Sequence, residues 1–438
     1  MVMFSKNSYF ILHPNKRAGK LRKLLRAPTV EFCKSLMSLT DDLGFSTISS
    51  IVGPHVNINT KVMIRIEDLY IKKVDNTEFC VLDGAHTLRE KIRESVECRL
   101  LSLNRYEGQK KFVNDHNLDE GSVLPDSDNL LIYFHGGGFI GLSAKICDIY
   151  LREWANSLKF PIFSIDYKLS PEAIFPYAVH ECFYTYCVIL ERGKSVGWNG
   201  KKVIFFGDSA GGNLVFAVTQ MAIKHNIRIP DGLICAYPSC DTSLSLSPSR
   251  CLVHIDPFLS TGFLSVARRA YFGISDEVYN NSENTMRKNK RSTVSECPNQ
   301  PSPDFIKLLH LIDIEDEVIG YYPTHIKDDD QRVPDSPFNQ FEMLEDDPCE
   351  NPLASPTLTD PEVLKRFPPV RMIISDTDPF LDEGLMMCKK LASSNVNVKV
   401  DIVSDLPHGF LQFILASIEV KNISDMIVAR MKELLFLS

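Results

Sequence analysis

Residues 202–213 hold the most chemically specific pattern in the chain: an apolar stretch, Val203-Ile204-Phe205-Phe206, runs directly into Gly207-Asp208-Ser209-Ala210-Gly211, a G-x-S-x-G turn. Such a turn sets a serine on a tight strand-to-helix corner. Its flanking glycines bring no side chain into the corner, so the hydroxyl stands clear as a nucleophile. The spacing also occurs in ordinary glycine-rich loops, so Ser209 needs partners before the pattern means catalysis. Three other segments supply them. Asn129 to Phe134 is a second apolar strand and ends in His135-Gly136-Gly137-Gly138-Phe139. Unhindered glycine N–H groups in such a segment can point at a carbonyl oxygen that turns into an oxyanion under attack. The expected donors are Gly136 and Gly137, joined by Ala210 just after the nucleophile; His135, Gly138, Gly207, Asp208 and Gly211 support the two motifs. Further on, a strand through Met372-Ile373-Ile374 leads into the carboxylate-rich turn Asp376-Thr377-Asp378-Pro379-Phe380-Leu381-Asp382, and a strand through Val400 to Val403 leads into Leu406-Pro407-His408-Gly409-Phe410.

These parts make an acyl-transfer apparatus. His408 takes the Ser209 proton as the hydroxyl attacks an ester carbonyl and returns it to the departing alcohol. Asp378 holds the tautomer of His408 and stabilises the imidazolium. Water then hydrolyses the acyl-enzyme by the reverse route, and no metal or cofactor is called for. The chain order Ser, Asp, His is the one expected of an α/β-hydrolase. All four segments end strands on one side, where open α/β sheets build their sites. Asp376 and Asp382 lie on the same loop as Asp378, and period-2 geometry does not separate Asp376 from it; Pro379, which stiffens the backbone, favours Asp378. His180, inside the apolar helical run from Tyr177 to Leu190, and His254, in a connecting segment, read as structural or surface histidines.

Positioning these residues requires strands alternating with helices. The runs Leu130 to Phe134, Ile162 to Tyr167, Val203 to Phe206 and Leu233 to Tyr237 are separated by helical lengths, which predicts a mostly parallel sheet covered on both faces, with the nucleophile on its central strand. The expected organisation is an N-terminal region over 1–125, a first catalytic part over 126–274, a polar insertion over 275–349 and a second catalytic part over 350–438. Leu88 to Leu103 fits either helix or strand. The basic run from Asn15 to Arg26 reads as a solvated helix face or as a contact for anionic lipid. The insertion, with Lys327-Asp328-Asp329-Asp330 and Glu345-Asp346-Asp347-Pro348, is polar and charged and reads as largely disordered. Loop-closure entropy grows only logarithmically, so its length costs little folding free energy.

A chain of 438 residues with 44% hydrophobic residues and a net charge of −8 fits a globular enzyme and gives no sign of nucleic-acid binding. Twelve cysteines are scattered without metal-ligand spacing, which reads as reduced thiols in the cytosol. The first residues lack a secretory h-region, and no stretch reaches bilayer-spanning length.

The HGGGF segment at 135–139, the GDSAGGN elbow at 207–213, the acid turn at 378–382 and the PHGF loop at 407–410 resemble the hormone-sensitive lipase family of α/β-hydrolases. Ser164-Ile165-Asp166-Tyr167-Lys168-Leu169-Ser170-Pro171-Glu172 is similar to that family's segment after the oxyanion strand. The resemblance implies an α/β-hydrolase fold with residues before the oxyanion strand forming a cap, in a shorter N-terminal region than the larger members carry. It implies hydrolysis of neutral lipid esters: diacylglycerol, triacylglycerol, monoacylglycerol, cholesteryl and retinyl esters. A small-ester carboxylesterase or arylacetamide-type deacetylase would use the same residues, and a non-catalytic receptor on this fold would lose the histidine. Partners follow in kind: a lipid-droplet or membrane surface touched reversibly from the cytoplasm, and a protein kinase. Lys290-Arg291-Ser292-Thr293-Val294-Ser295 resembles a basic-residue-directed phosphorylation segment, with Ser292, Thr293 and Ser295 as candidates; an exposed basic linker with incidental serines reads the same way.

Overall fold

The computed structural model describes residues 28–42, 53–110, 124–243, 247–254, 256, 258–274 and 348–436. The basic run at 15–26, the phosphorylation candidates Ser292, Thr293 and Ser295, and nearly all of the insertion expected over 275–349 lie outside them.

The strands are β1 (Ile58–Arg65), β2 (Tyr70–Lys72), β3 (Glu78–Cys80), β4 (Ser95–Ser102), β5 (Ser127–Phe134), β6 (Ile162–Asp166), β7 (Trp198–Asp208), β8 (Gly232–Ala236), β9 (Val370–Ser375) and β10 (Val398–Val403). Eight of them form one sheet in the order β1-β4-β6-β5-β7-β8-β9-β10, and β2 pairs with β3 apart from it. From β6 to β10 the pairing is parallel, whereas β1, β4 and β6 pair antiparallel. The register sets the motif ends side by side: Phe134 lies opposite Gly207, Asp208 opposite Ala236, and Ser375 opposite Val403. The four chemistry-bearing loops therefore leave the same edge of the sheet, at its carboxyl end.

The principal helices are α1 (Val30–Asp42), α2 (Asp148–Leu158), α3 (Tyr177–Arg192), α4 (Ala210–Lys224), α5 (Thr261–Phe272), α6 (Leu381–Ser393) and α7 (Ile418–Phe436). Both faces of the central strands are covered. On one side Ile204 and Phe206 of β7 join Trp154 of α2 and Ile427 and Met431 of α7 in one buried cluster. On the other, Phe205 meets the ring of Tyr186 on α3 at 4.8 Å. Val203 to Phe206 are wholly buried, which explains why this strand reads as a continuous apolar run instead of an alternating one. Each such side chain contributes roughly 1.5–3 kcal/mol of burial free energy.

The stretch from Leu88 to Leu103 resolves into a short 3-10 turn, His86–Glu90, followed by β4. Val96, Cys98 and Leu100 of β4 are buried, and their period-2 placement is the signature of a strand. The region before residue 126 thus supplies two strands of the main sheet. Its α1 also lies against the loop beyond Gly138: Met37 packs on Gly141, and Lys34 pairs with Glu172 at 2.6 Å. Among the described residues no helix is long and apolar enough to cross a membrane.

Candidate active site

Strand β7 ends at Asp208 and α4 begins at Ala210, leaving Ser209 alone at the corner with φ 54° and ψ −120°. A side-chain-bearing residue held in so sparsely populated a conformation costs of order 1–3 kcal/mol, and the surroundings must over-determine it. They do: the Ser209 N–H donates to Ala236 O at 2.9 Å, and the Ser209 carbonyl accepts from Ser239 N at 3.1 Å. A methyl group at Gly207 would overlap the Gly211 carbonyl, and one at Gly211 would overlap the Phe134 carbonyl. Glycine at both positions is what lets the corner close.

The loop after β10 carries His408 to this corner. Its Nε2 lies 2.8 Å from Ser209 Oγ, and its Nδ1 lies 2.8 Å from Asp378 Oδ2. The other oxygen of Asp378 accepts from Phe380 N at 2.7 Å, so the carboxylate is fixed from both sides and fully buried. Edges of Tyr237 and Phe380 flank the imidazole, each ring centroid 5.0 Å away. Burial disfavours the imidazolium, but the adjoining Asp378 carboxylate outweighs it, with Asp256 and Asp208 assisting, and the His408 pKa is raised above its ordinary value. The competing acids face elsewhere. Asp376 is exposed and accepts from Asp405 N at 2.9 Å, and Asp382 accepts from Ser249 N at 2.8 Å. His180 is buried on α3 with its Nδ1 2.7 Å from Thr87 Oγ1, and His254 closes the 3-10 turn Ser249–His254.

The oxyanion loop requires a correction. The Gly136 N–H donates to Asp208 Oδ1 at 3.1 Å, so this amide is already engaged and does not face a reacting carbonyl. Asp208 is itself held by the Tyr133 hydroxyl at 2.6 Å. Burial raises its pKa against the opposing pull of Tyr133, His135, His408 and Gly136. Gly136 therefore ties the oxyanion loop to the elbow. The His135 ring stacks on Tyr167 at 4.1 Å, and its Nδ1 lies 2.7 Å from Gly136 O, which braces the loop from behind. Gly137 and Gly138 follow with φ of 106° and 61°. Among the described residues the N–H groups of Gly137, Gly138 and Ala210 have no hydrogen-bond acceptor. No local pattern in the sequence marks the Gly136–Asp208 bond, which joins two motifs 72 residues apart. Next to this loop a cavity of about 220 Å³ is lined by Lys34, Ser143, Ile140, Leu142, Ile146 and Leu169.

The family described as alpha/beta hydrolase fold matches residues 131–299 and 333–412, more than half of the chain, and the family described as Hormone-sensitive lipase (HSL) N-terminus matches residues 1–110. The chain is 25% identical to hormone-sensitive lipase of Ictidomys tridecemlineatus, over 97% of this chain and 70% of that protein. It is 27% identical to neutral cholesterol ester hydrolase 1 of Mus musculus, over 67% of this chain and 71% of that protein. Among solved structures, an esterase of Pyrobaculum calidifontis superposes with a TM-score of 0.58 at 18% identity, covering 92% of each chain, a likeness of fold. By these matches the chain is a carboxylic ester hydrolase and belongs to the hormone-sensitive lipase family of α/β-hydrolases.

Proposed function

We propose that the protein hydrolyses neutral lipid esters, among them acylglycerols and cholesteryl and retinyl esters, through an acyl-enzyme formed on Ser209. The observation that carries this reading is the unbroken hydrogen-bond chain from Ser209 Oγ through both nitrogens of His408 to Asp378. In the first half-reaction His408 Nε2 accepts the Ser209 proton while Oγ attacks the ester carbonyl carbon. Asp378 balances the imidazolium that results, and the N–H groups of Gly137, Gly138 and Ala210 receive the oxyanion. Collapse of the tetrahedral intermediate breaks the bond to the alcohol oxygen, which takes the proton from His408. A water molecule then repeats the sequence on the acyl-enzyme and releases the fatty acid.

The substrate class is supported by the relatives, whose names specify a lipase and a cholesterol ester hydrolase. The same reading includes reversible contact with lipid-droplet or membrane surfaces and phosphorylation at Ser292, Thr293 or Ser295; absence of label at these positions after incubation with a cyclic-nucleotide-dependent kinase would remove the last. Hydrolysis of an ester series from p-nitrophenyl butyrate to emulsified diacylglycerol and cholesteryl oleate, with Ser209→Ala as control, tests the main proposal. Turnover of the long insoluble esters, lost in the variant, is the expected result. Turnover confined to short soluble esters would replace lipase with carboxylesterase.

A further inference from the structure

The segment between the 3-10 turn Ser249–His254 and α5 contains a buried acid that has no part in the acyl-transfer steps described above. Asp256 Oδ1 accepts from the N–H groups of Phe258 at 2.8 Å and Leu259 at 2.7 Å, and Oδ2 accepts from the backbone N–H of His408 at 2.9 Å. Its own N–H donates to Leu252 O at 2.8 Å, so the acid is anchored in its turn before it reaches across to the base loop. Hydrogen bonds from amides to an ionised carboxylate are short and roughly twice as strong as neutral ones.

The same segment grips the acid loop. Ser249 N donates to Asp382 Oδ2 at 2.8 Å, Ser249 Oγ donates to Pro379 O at 3.1 Å, and Arg250 forms an ion pair with buried Glu383 while its guanidinium lies 4.9 Å from the Phe380 ring centre. Ser249 and Arg250 thus fasten to the loop that bears Asp378, and Asp256 to the loop that bears His408. The link to the base loop runs through the Asp256 carboxylate.

We propose that Asp256 is a positioning residue for the base: by holding the His408 main chain it sets the imidazole at hydrogen-bond distance from both Ser209 and Asp378. The inference rests on the triad proposed above. His408 is buried beyond the end of β10, where no ladder partner meets its N–H, and Asp256 supplies the acceptor that a buried amide requires. Four titratable groups face the imidazole: Asp378 from the turn after β9, Asp208 from the end of β7, Tyr237 from the residue after β8, and Asp256 from the strap before α5. Removing the Asp256 charge takes away one of the three carboxylates that favour the protonated ring.

The test is Asp256→Asn. An amide in this place offers one acceptor oxygen where three N–H groups converge, and its NH2 opposes one of them. With p-nitrophenyl butyrate, kcat is expected to fall about 10- to 100-fold, the loss that follows from misplacing a catalytic group by about 1 Å. KM should stay within about threefold, and the acid limb of kcat/KM should move to lower pH. A role in folding alone would lower the melting temperature without moving that limb. Asp256→Glu retains the charge at a different reach, so it should keep the acid limb while losing rate; it also carries the test should Asp256→Asn not fold. A folded Asp256→Asn enzyme with its acid limb in place and kcat within threefold of the parent overturns the proposal, as does a Glu variant with parental kcat. Activity surviving in Ser209→Ala would instead remove the triad itself, which keeps the two failures distinct.

Discussion

Replacing Gly137 with alanine separates the backbone of the oxyanion loop from every side chain in the site. The residue holds φ at 106°, and a Cβ there would overlap the Gly141 carbonyl oxygen and come within 3.1 Å of Leu142 Cβ. The loop has little room to yield. Ile140 N and Gly141 N both donate to Gly137 O, at 3.1 and 3.0 Å, and Met37 packs on Gly141 from outside. Strain of about 1–3 kcal/mol therefore falls on this residue. Relief comes by rotating the Gly137 peptide, which carries its N–H away from the oxyanion. Loss of one such donor costs roughly 2.7–4 kcal/mol in the transition state, so kcat should fall about 10²- to 10³-fold with KM nearly constant. The assay is steady-state hydrolysis of p-nitrophenyl butyrate by protein whose circular dichroism matches the parent. Gly200→Ala is the control: it imposes a similar φ of 90° with nothing within 4 Å of the added methyl, so it should lower stability and leave kcat alone. A folded Gly137→Ala enzyme within threefold of parental kcat would refute the assignment of this amide.

Asp378→Asn should reduce kcat by about 10³- to 10⁴-fold, because an amide no longer imposes the tautomer or balances the imidazolium, whereas Asp376→Asn, at an exposed acid that caps Asp405 N, should stay within a few-fold of the parent in the same assay. His180 gives a pH signature in stability. Burial, with smaller effects from His86, His225 and Lys224, depresses its pKa from 6.5 to about 3. A depressed histidine contributes stability that is complete above the unfolded-state value and is lost as pH falls from 6.5 toward 3, up to roughly 5 kcal/mol for a shift of this size. Urea midpoints should therefore drop below pH 6.5 in the parent and drop less in His180→Asn, which keeps a hydrogen-bonding group for Thr87; parallel curves would contradict the buried neutral state.

Much of the site was legible because its signals are local. Val203 to Phe206 followed by G-x-S-x-G encodes a buried strand and its corner within a dozen residues, and Asp378 and His408 each end an apolar run. Pro379 favours Asp378 over Asp376 in the sequence; in the structure Asp376 is exposed and accepts from Asp405 N. What stayed hidden are bonds between distant segments. Gly136 looks like its glycine neighbours until the Asp208 carboxylate, 72 residues on, takes its N–H. Asp256 lies in a stretch without periodicity or motif, and its partner is a backbone N–H 152 residues away, which no side-chain pattern marks. β4 was ambiguous for another reason. Charged Glu97 and Arg99 alternate with buried Val96, Cys98 and Leu100, and mixed charge over so short a window fits either period.

The account turns on Ser209 as the atom that takes the acyl group. Treating the enzyme with diethyl p-nitrophenyl phosphate and locating the adduct by peptide mass spectrometry addresses that directly, since a phosphoryl ester captures the activated hydroxyl without being readily released. One diethylphosphoryl group per chain on Ser209, appearing in step with loss of esterase activity and absent in His408→Ala, is the expected result. Full inactivation with the label on another residue, or esterase activity intact after Ser209 is stoichiometrically labelled, would contradict it.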